Sequence, residues 1–306
     1  MNININLIGH DNSFNNLVQL YNKNILPNKI VIKGNKGIGK FLLCSHFVNY
    51  VLSQDEEYKY NLNKFEINIK NKSYQLFKNE IHPNINIINK KKDSRNIEIS
   101  QIREMFLFQN TSSFNNKHRF IVINNVSNLN NNSTNALLKS IEEPNKNVFY
   151  ILTYNTGTKI LDTLRSRCVE FKLTLQNKYK KMIVDNYFKE NIYDLISTDF
   201  ANFYTNPSFL ISLINYSKVN SLDYTNLTIE DLIIFLINNK DYVKNNFINE
   251  NINVFIELFF YKNINVTNKI TYKIKEYFYL KLSEIKKYNL DMESYFLEFQ
   301  NQLLNE

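Results

Sequence analysis

Gly34-Asn35-Lys36-Gly37-Ile38-Gly39-Lys40 is the stretch from which the fold can be read. It has the form G-x-x-x-x-G-K. It lies between Lys29-Ile30-Val31-Ile32-Lys33, which reads as a strand, and Lys40 to Ser53, which reads as a helix. Three of the chain's five glycines fall between positions 34 and 39. Glycines let backbone N–H groups turn inward around phosphate oxygens, and a helix N-terminus and a Lys ammonium add positive potential at the same point. In a chain so poor in glycine, this clustering marks a phosphate loop rather than an ordinary turn.

The flanking segments extend the pattern. After the loop, Leu42, Leu43, Phe47, Val51 and Leu52 form an apolar helical stripe. Ile85-Asn86-Ile87-Ile88 reads as a strand, and Ile99 to Phe108 as a helix with Ile102, Phe106 and Leu107 inward. Arg119 to Asn124 is the short apolar run of a strand buried on both faces. Ser133 to Glu143 is helical and stops at Pro144. Val148 to Thr153 and Val169 to Leu173 are further strands. Strand and helix in alternation predict an open, mostly parallel α/β sheet. From about Leu173 to Glu306 nearly every segment fits a helical period, as in Leu232 to Ile237 and Tyr272 to Ile285. Asn206-Pro207 marks a break there. The expected domains are therefore 1–173 (α/β), 174–214 (a small helical unit) and 215–306 (a terminal helical unit).

Three positions disable the chemistry that the loop would otherwise serve. Phe41 stands where a Ser or Thr hydroxyl would bind Mg²⁺, and a phenyl ring cannot ligate a hard cation that wants oxygen. ATPases with such a loop end the RFIVIN-type strand in carboxylates, one for the metal and one to polarise the attacking water. Here those places hold Asn124 and Asn125, whose amides carry no charge and cannot act as a general base. Three substitutions in one metal site predict no intrinsic ATPase activity.

Composition narrows the rest. The 306 residues are 43% hydrophobic, with no Trp but 20 Tyr and 23 Phe, so a large core can be buried. Heavy use of Asn, Ile, Lys, Tyr and Phe fits AT-rich coding, which lowers the information in any single Asn or Lys. The formal charge of +8 suits a polyanionic partner, although Lys-rich codon usage is the simpler account of charge alone. The runs Lys90-Lys91-Lys92 and Lys178 to Lys181 read as solvated faces. Cys44 and Cys168 are too far apart in sequence, and His10, His46, His82 and His118 too scattered, for a disulfide framework or a metal site. A reducing cytoplasm is the expected compartment. No signal peptide is apparent, and Val254 to Tyr261, interrupted by Glu257, is too short to span a bilayer.

Several further motifs follow in order. They are Leu7-Ile8-Gly9-His10, His82-Pro83-Asn84, Ile99-Ser100-Gln101-Ile102-Arg103, the N-A-L-L-K-x-x-E-E-P run from Asn135 to Pro144, and Ser166-Arg167-Cys168 after Leu164-Arg165. Together with the phosphate loop they resemble the bacterial clamp-loader subunits of the AAA+ class, most of all the delta-prime branch found in DNA polymerase III. The resemblance covers about residues 5 to 173; beyond that only a helical pattern of suitable length continues. It implies an AAA+ P-loop domain, then a helical lid, then a helical collar for oligomerisation.

The resemblance also implies roles for residues. Arg167, in the S-R-C motif with Ser166 and Cys168, would act in trans as an arginine finger on ATP held by a neighbouring subunit. Arg165 is a weaker candidate for the same role. Asn155, after the strand VFYILT, falls where the family places a polar sensor of the γ-phosphate. A second sensor Arg, expected near Pro207, is missing from Asn206-Pro207-Ser208-Phe209-Leu210. The four zinc-binding cysteines that many relatives carry are missing between Gln54 and Lys78, so zinc is not expected. No cofactor is expected at all, because ATP would be held by the neighbours. Leu129 to Thr134 would face the chamber that grips DNA, where Asn130, Asn131 and Ser133 could donate hydrogen bonds to phosphates; low-complexity Asn accounts for them equally well. The implied partners are gamma/tau-type ATPase subunits and a delta-type subunit in a hetero-pentamer, the sliding clamp and primer-template DNA.

Two other readings stay open. One is an active motor ATPase with unusual metal ligands, against which Asn124 and Asn125 stand. The other is a scaffold from another AAA+ lineage that binds origins or activates transcription. That reading predicts a terminal helix-turn-helix, and no Gly-containing turn between short helices occurs near the end.

Overall fold

Short, nearly continuous apolar runs alternating with helical stretches bury both faces when stacked side by side between helices. The computed structural model has this arrangement. It describes residues 4–91, 94, 96–111, 115, 117–142, 147–203, 205–223, 225–263 and 272–304, and it divides into two compact units, Met1–Lys180 and Lys181–Glu306.

The first unit opens with helix α1 (Asp11–Asn22). There follow β1 (Lys29–Gly34), α2 (Lys40–Leu52), α3 (Lys72–Lys78), β2 (Ile85–Ile88), α4 (Ile99–Asn110), β3 (Arg119–Ile123), α5 (Asn131–Glu142), β4 (Val148–Asn155), α6 (Asp162–Arg165) and β5 (Val169–Lys172). All five strands run parallel in the order β2-β3-β4-β1-β5. The sheet is α/β and the helices that follow make the remainder all-α, the architecture of an AAA+ P-loop domain with appended helices.

The pleat sorts side chains to two faces. Ile30, Ile32, Phe120, Val122 and Ile151 join Phe14, Leu17, Phe47 and Val48 of α1 and α2 in one cluster. Val31, Ile121, Ile123, Tyr150 and Leu152 join Ile102, Met105, Leu137 and Ile141 of α4 and α5 in the other. β3 is buried at all five positions, whereas β5 is an edge strand with Glu170 and Lys172 exposed. Charge on an edge strand discourages pairing with another chain. Within the second cluster, Gln109, Ser140 and Tyr150 satisfy one another: the Tyr150 hydroxyl donates to Gln109 Oε1 at 2.6 Å and lies 2.6 Å from Ser140 Oγ, which also bonds Gln109.

One inward assignment is corrected. Leu107 is 71% exposed, while Ile102 and Met105 are fully buried. Residue 107 lies five positions beyond Ile102, on the far side of a helix with 3.6 residues per turn. The helix α5 begins at Asn131, two residues before the expected start; Glu143 and Pro144, the expected stop, lie outside the described residues, as does Lys92.

The histidines are structural. The His46 ring is fully buried on α2; Nε2–H donates to the Asn4 carbonyl at 3.0 Å and Nδ1 faces the Tyr60 hydroxyl at 2.8 Å. Burial pushes His46 and His82 down to about 4, and it lowers His10 and His118 as well. Between pH 6.5 and 4 the unfolded chain therefore binds protons that the folded chain refuses, so stability is lost as pH falls through that window. His46 alone should contribute a loss of roughly 3 kcal/mol by its lower limit. Urea midpoints taken across this range should fall with acid, and less steeply in His46→Gln.

The second unit is helical. The helix α7 (Asn177–Phe188) spans the division between units, and α8 (Ile192–Leu195), α9 (Thr198–Asn202), α10 (Pro207–Val219), α11 (Ile229–Asn238), α12 (Asp241–Lys244), α13 (Asn246–Asn263), α14 (Tyr272–Tyr288) and α15 (Met292–Phe299) follow. Asn206-Pro207, read as a break, is the start of α10: the Asn206 side chain accepts from Phe209 N at 2.8 Å and Pro207 takes the first turn, where its missing N–H costs nothing. One hydrophobic cluster runs from Val184 to Phe299 and includes Phe255, Phe259, Phe260, Phe278, Tyr295 and Phe299.

Candidate functional site

The carboxyl ends of β1, β3 and β4 lie side by side, and the phosphate loop, Asn124-Asn125 and Asn155 follow directly from them. In open parallel sheets this is where ligands bind. Register sets the pairing: Gly34 stands opposite Asn155, and Thr156 N donates to the Gly34 carbonyl at 3.0 Å.

Gly34 needs to be glycine on space alone, since a Cβ there would meet Leu173 O at 2.6 Å and Ile38 Cδ1 at 2.7 Å. Gly39 caps α2 with φ 96, a conformation that L side chains rarely adopt. The loop is also held from below. His10, buried, donates from Nε2–H to the Ile38 carbonyl at 2.6 Å. The sequence marks His10 as part of an N-terminal box, and its contact across 28 residues has no local signature.

Lys40 turns back over the loop it closes. Its ammonium donates to Gly34 O at 2.8 Å, to Asn35 O at 2.7 Å and to Asn155 Oδ1 at 2.8 Å. All three ammonium donors are thereby used. Burial pushes Lys40 down to about 8. The structure thus joins two residues predicted separately, Lys40 and Asn155.

The positions that would hold a metal are spent on packing and turn geometry. The Phe41 ring packs against the cluster beneath α2. Asn124 Oδ1 accepts from Thr153 Oγ1 at 3.1 Å. Asn125 has φ 64, a left-handed conformation that Asn tolerates better than most residues. Its N–H donates to Thr153 Oγ1 at 2.9 Å, its Nδ2 to Asn128 Oδ1 at 3.2 Å, and its Oδ1 accepts from Ser127 at 2.7 Å. Magnesium, which the fold family implies at this point, does not fit this donor set: a phenyl ring and two amides offer no anionic oxygen.

Arg167 belongs to a different place. It follows the short helix α6, on the surface between α5 and β5. Its Nη1 donates to Thr163 O at 2.8 Å, and its Nη2 lies 2.7 Å from Glu142 Oε1 at the last turn of α5. Arg165 Nε lies 3.3 Å from Glu170 Oε2, which also accepts from the Tyr154 hydroxyl at 2.6 Å. Ser166 caps α6, and Cys168 packs partly against the cluster beneath α5.

The segment expected near DNA needs one correction. Ser133 is fully buried and donates to Ile97 O at 3.1 Å, so its hydroxyl faces the core and not a phosphate. Asn130 Oδ1 accepts from Ser133 N at 2.8 Å, which makes it a helix cap. Asn131 is exposed. Among the described residues, no helix is long and apolar enough to cross a membrane.

A five-stranded parallel domain with a phosphate loop, with Phe41, Asn124 and Asn125 at the positions that would hold a metal, and followed by helices, defines an AAA+ P-loop chain. The family model described as DNA polymerase III, delta subunit, matches residues 9–177, more than half of the chain, and the chain belongs to that family. It is 32% identical over 177 residues to a putative replication factor C small subunit of Acanthamoeba polyphaga mimivirus, covering 53% of this chain and 45% of that protein. It is 30% identical over 190 residues to DNA polymerase III subunit delta' of Buchnera aphidicola subsp. Schizaphis graminum, covering 60% of this chain and 55% of that protein. The chain thus spans about half the length of these curated relatives. A solved structure of a DNA polymerase III gamma subunit-related protein from Thermotoga maritima aligns with a TM-score of 0.49 and 14% identity, over 92% of this chain and 96% of that one.

Proposed function

We propose that this chain is a non-catalytic, delta-prime-like subunit of a clamp loader. It lends Arg167 in trans to ATP held by a neighbouring gamma/tau-type ATPase subunit and helps place the sliding clamp on primed DNA. The observation that carries this reading is the division of positive charge. The Lys40 ammonium is used up by three oxygens of its own chain, in a loop without a carboxylate for magnesium, whereas the Arg167 guanidinium stands at the surface. Phosphoryl transfer needs charge compensation and an oriented nucleophile. This chain's loop supplies neither, so its contribution is to complete a site elsewhere. Membership of the DNA polymerase III delta subunit family supports the setting. Exposed Asn131 is a candidate contact for a DNA phosphate, which would position the duplex without reading its sequence.

The isolated chain should release no phosphate from Mg-ATP above a blank in a malachite-green assay. Lys40→Ala, introduced into the reconstituted complex, should leave DNA- and clamp-stimulated turnover unchanged. Robust Mg-dependent hydrolysis by the isolated chain, or loss of turnover on changing Lys40, would make this subunit a motor and overturn the proposal. Copurification of the tagged chain from its host, with partners identified by mass, tests the assembly.

A further inference from the structure

We propose that Glu142 is a positioning residue for Arg167: a counter-ion within the same chain that parks the guanidinium and yields it to a more highly charged anion on the adjacent subunit. The inference rests on the reading of Arg167 given above and deepens it. Glu142 Oε1 lies 2.7 Å from Arg167 Nη2, while Nη1 is tied to Thr163 O at 2.8 Å. One edge of the planar fork is therefore fixed in direction by α6 and the other by α5. Glu142 is the last described residue of α5 and stands two positions before Pro144, which cannot continue a helix, so it lies in the C-terminal part of the helix, where the dipole is negative. A carboxylate there is disfavoured unless a cation sits close by, and Arg167 provides that cation.

Exposure decides that the pairing is exchangeable. The Arg167 and Glu142 side chains are 37% and 49% exposed, so solvent and salt screen the attraction and the contact orients without trapping. The neighbouring pair differs: the Glu170 carboxylate that holds Arg165 is also bound by the Tyr154 hydroxyl and lies 3.9 Å from Lys33. Arg167 differs from Arg165 in that its carboxylate partner, Glu142, is itself half exposed, so an incoming anion can reach the pair from solvent. A single carboxylate brings one negative charge. The terminal phosphates of ATP bring several and offer more oxygens to a forked donor. The exchange therefore favours a triphosphate over any monovalent anion.

The test uses the reconstituted complex with clamp and primed DNA, carrying wild-type chain, Glu142→Gln, Glu142→Asp or Arg167→Ala. Removing the competing carboxylate should lower KM for ATP about two- to fivefold with kcat unchanged, as expected for loss of one exposed ion pair. Glu142→Asp should restore KM toward wild type. In the free chain, the ¹⁵N-labelled side-chain signal of Arg167 should lose its restrained position in Glu142→Gln and keep it in Glu142→Asp. An unchanged or raised KM in Glu142→Gln, alongside an impaired Arg167→Ala complex, overturns the counter-ion role and leaves the finger intact. An Arg167→Ala complex with full activity overturns both. Thermal melting of each variant shows whether it is folded.

Discussion

Replacing Arg167 by Ala is expected to remove most of the stimulated ATPase activity of whichever neighbouring site this chain completes, with little change in the stability of the chain itself. The two halves of that expectation have different physical origins. An arginine supplied in trans to a phosphoryl-transfer site is worth on the order of 10³–10⁵ in kcat, because its charge meets the negative charge spreading over the transferred group. The reconstituted complex should lose the share of turnover that such a site provides. Within its own chain, by contrast, Arg167 makes an exposed pair with Glu142, and such pairs contribute about 0–1 kcal/mol. Lys in its place keeps the charge but not the planar fork, so Arg167→Lys should recover little. The measurement is steady-state ATPase of the reconstituted complex with clamp and primed DNA, beside a thermal melt of the free subunit. A turnover number equal to wild type would rule out the trans role.

In the helical unit, Phe278→Ala should be the most damaging single truncation. Phe278 on α14 is fully buried, with ring centroids 6.3 Å from Phe260, 5.6 Å from Tyr295 and 5.1 Å from Phe299. It thus ties α14 to both α13 and α15 through largely edge-to-face contacts, which add to simple area burial. Deleting a buried phenyl group typically costs about 3–5 kcal/mol, because the surrounding rings close the cavity only in part. Urea unfolding of the full chain, followed by far-ultraviolet circular dichroism, should show the helical transition moved to lower denaturant by that amount. A loss below about 1 kcal/mol would mean that the aromatic cluster repacks freely, contrary to the close ring geometry.

The α/β half was legible for a simple reason: its signals survive a biased composition. Glycine is scarce, so the loop from Gly34 to Gly39 stands out, and Phe120 to Ile123 can be little else than a buried strand. Asparagine is common, so α1 and α3 went unread. Yet Phe14, Leu17 and Val18 hold the spacing of a helical face, and Asn71 caps α3 through Tyr74 N at 2.8 Å. The site was legible as separate motifs only. That Lys40 meets Asn155 depends on the β1–β4 register, across 115 residues, and that Arg167 meets Glu142 depends on how α5 and α6 pack. Ser133 is expected near DNA only through the family resemblance of its segment. Its phase on α5 turns it toward Ile97 instead.

The asparagine caps carry a consequence of their own. Asn71, Asn130, Asn191, Asn206 and Asn245 each offer an amide oxygen to the backbone N–H groups that open a helix. An amide has no proton to gain in acid and no formal charge for salt to shield. These helix starts are therefore indifferent to the ionic medium, while the exposed contacts between charged groups respond to it. Changes in salt that weaken exposed ion pairs such as Arg167–Glu142 should leave these five helix starts standing.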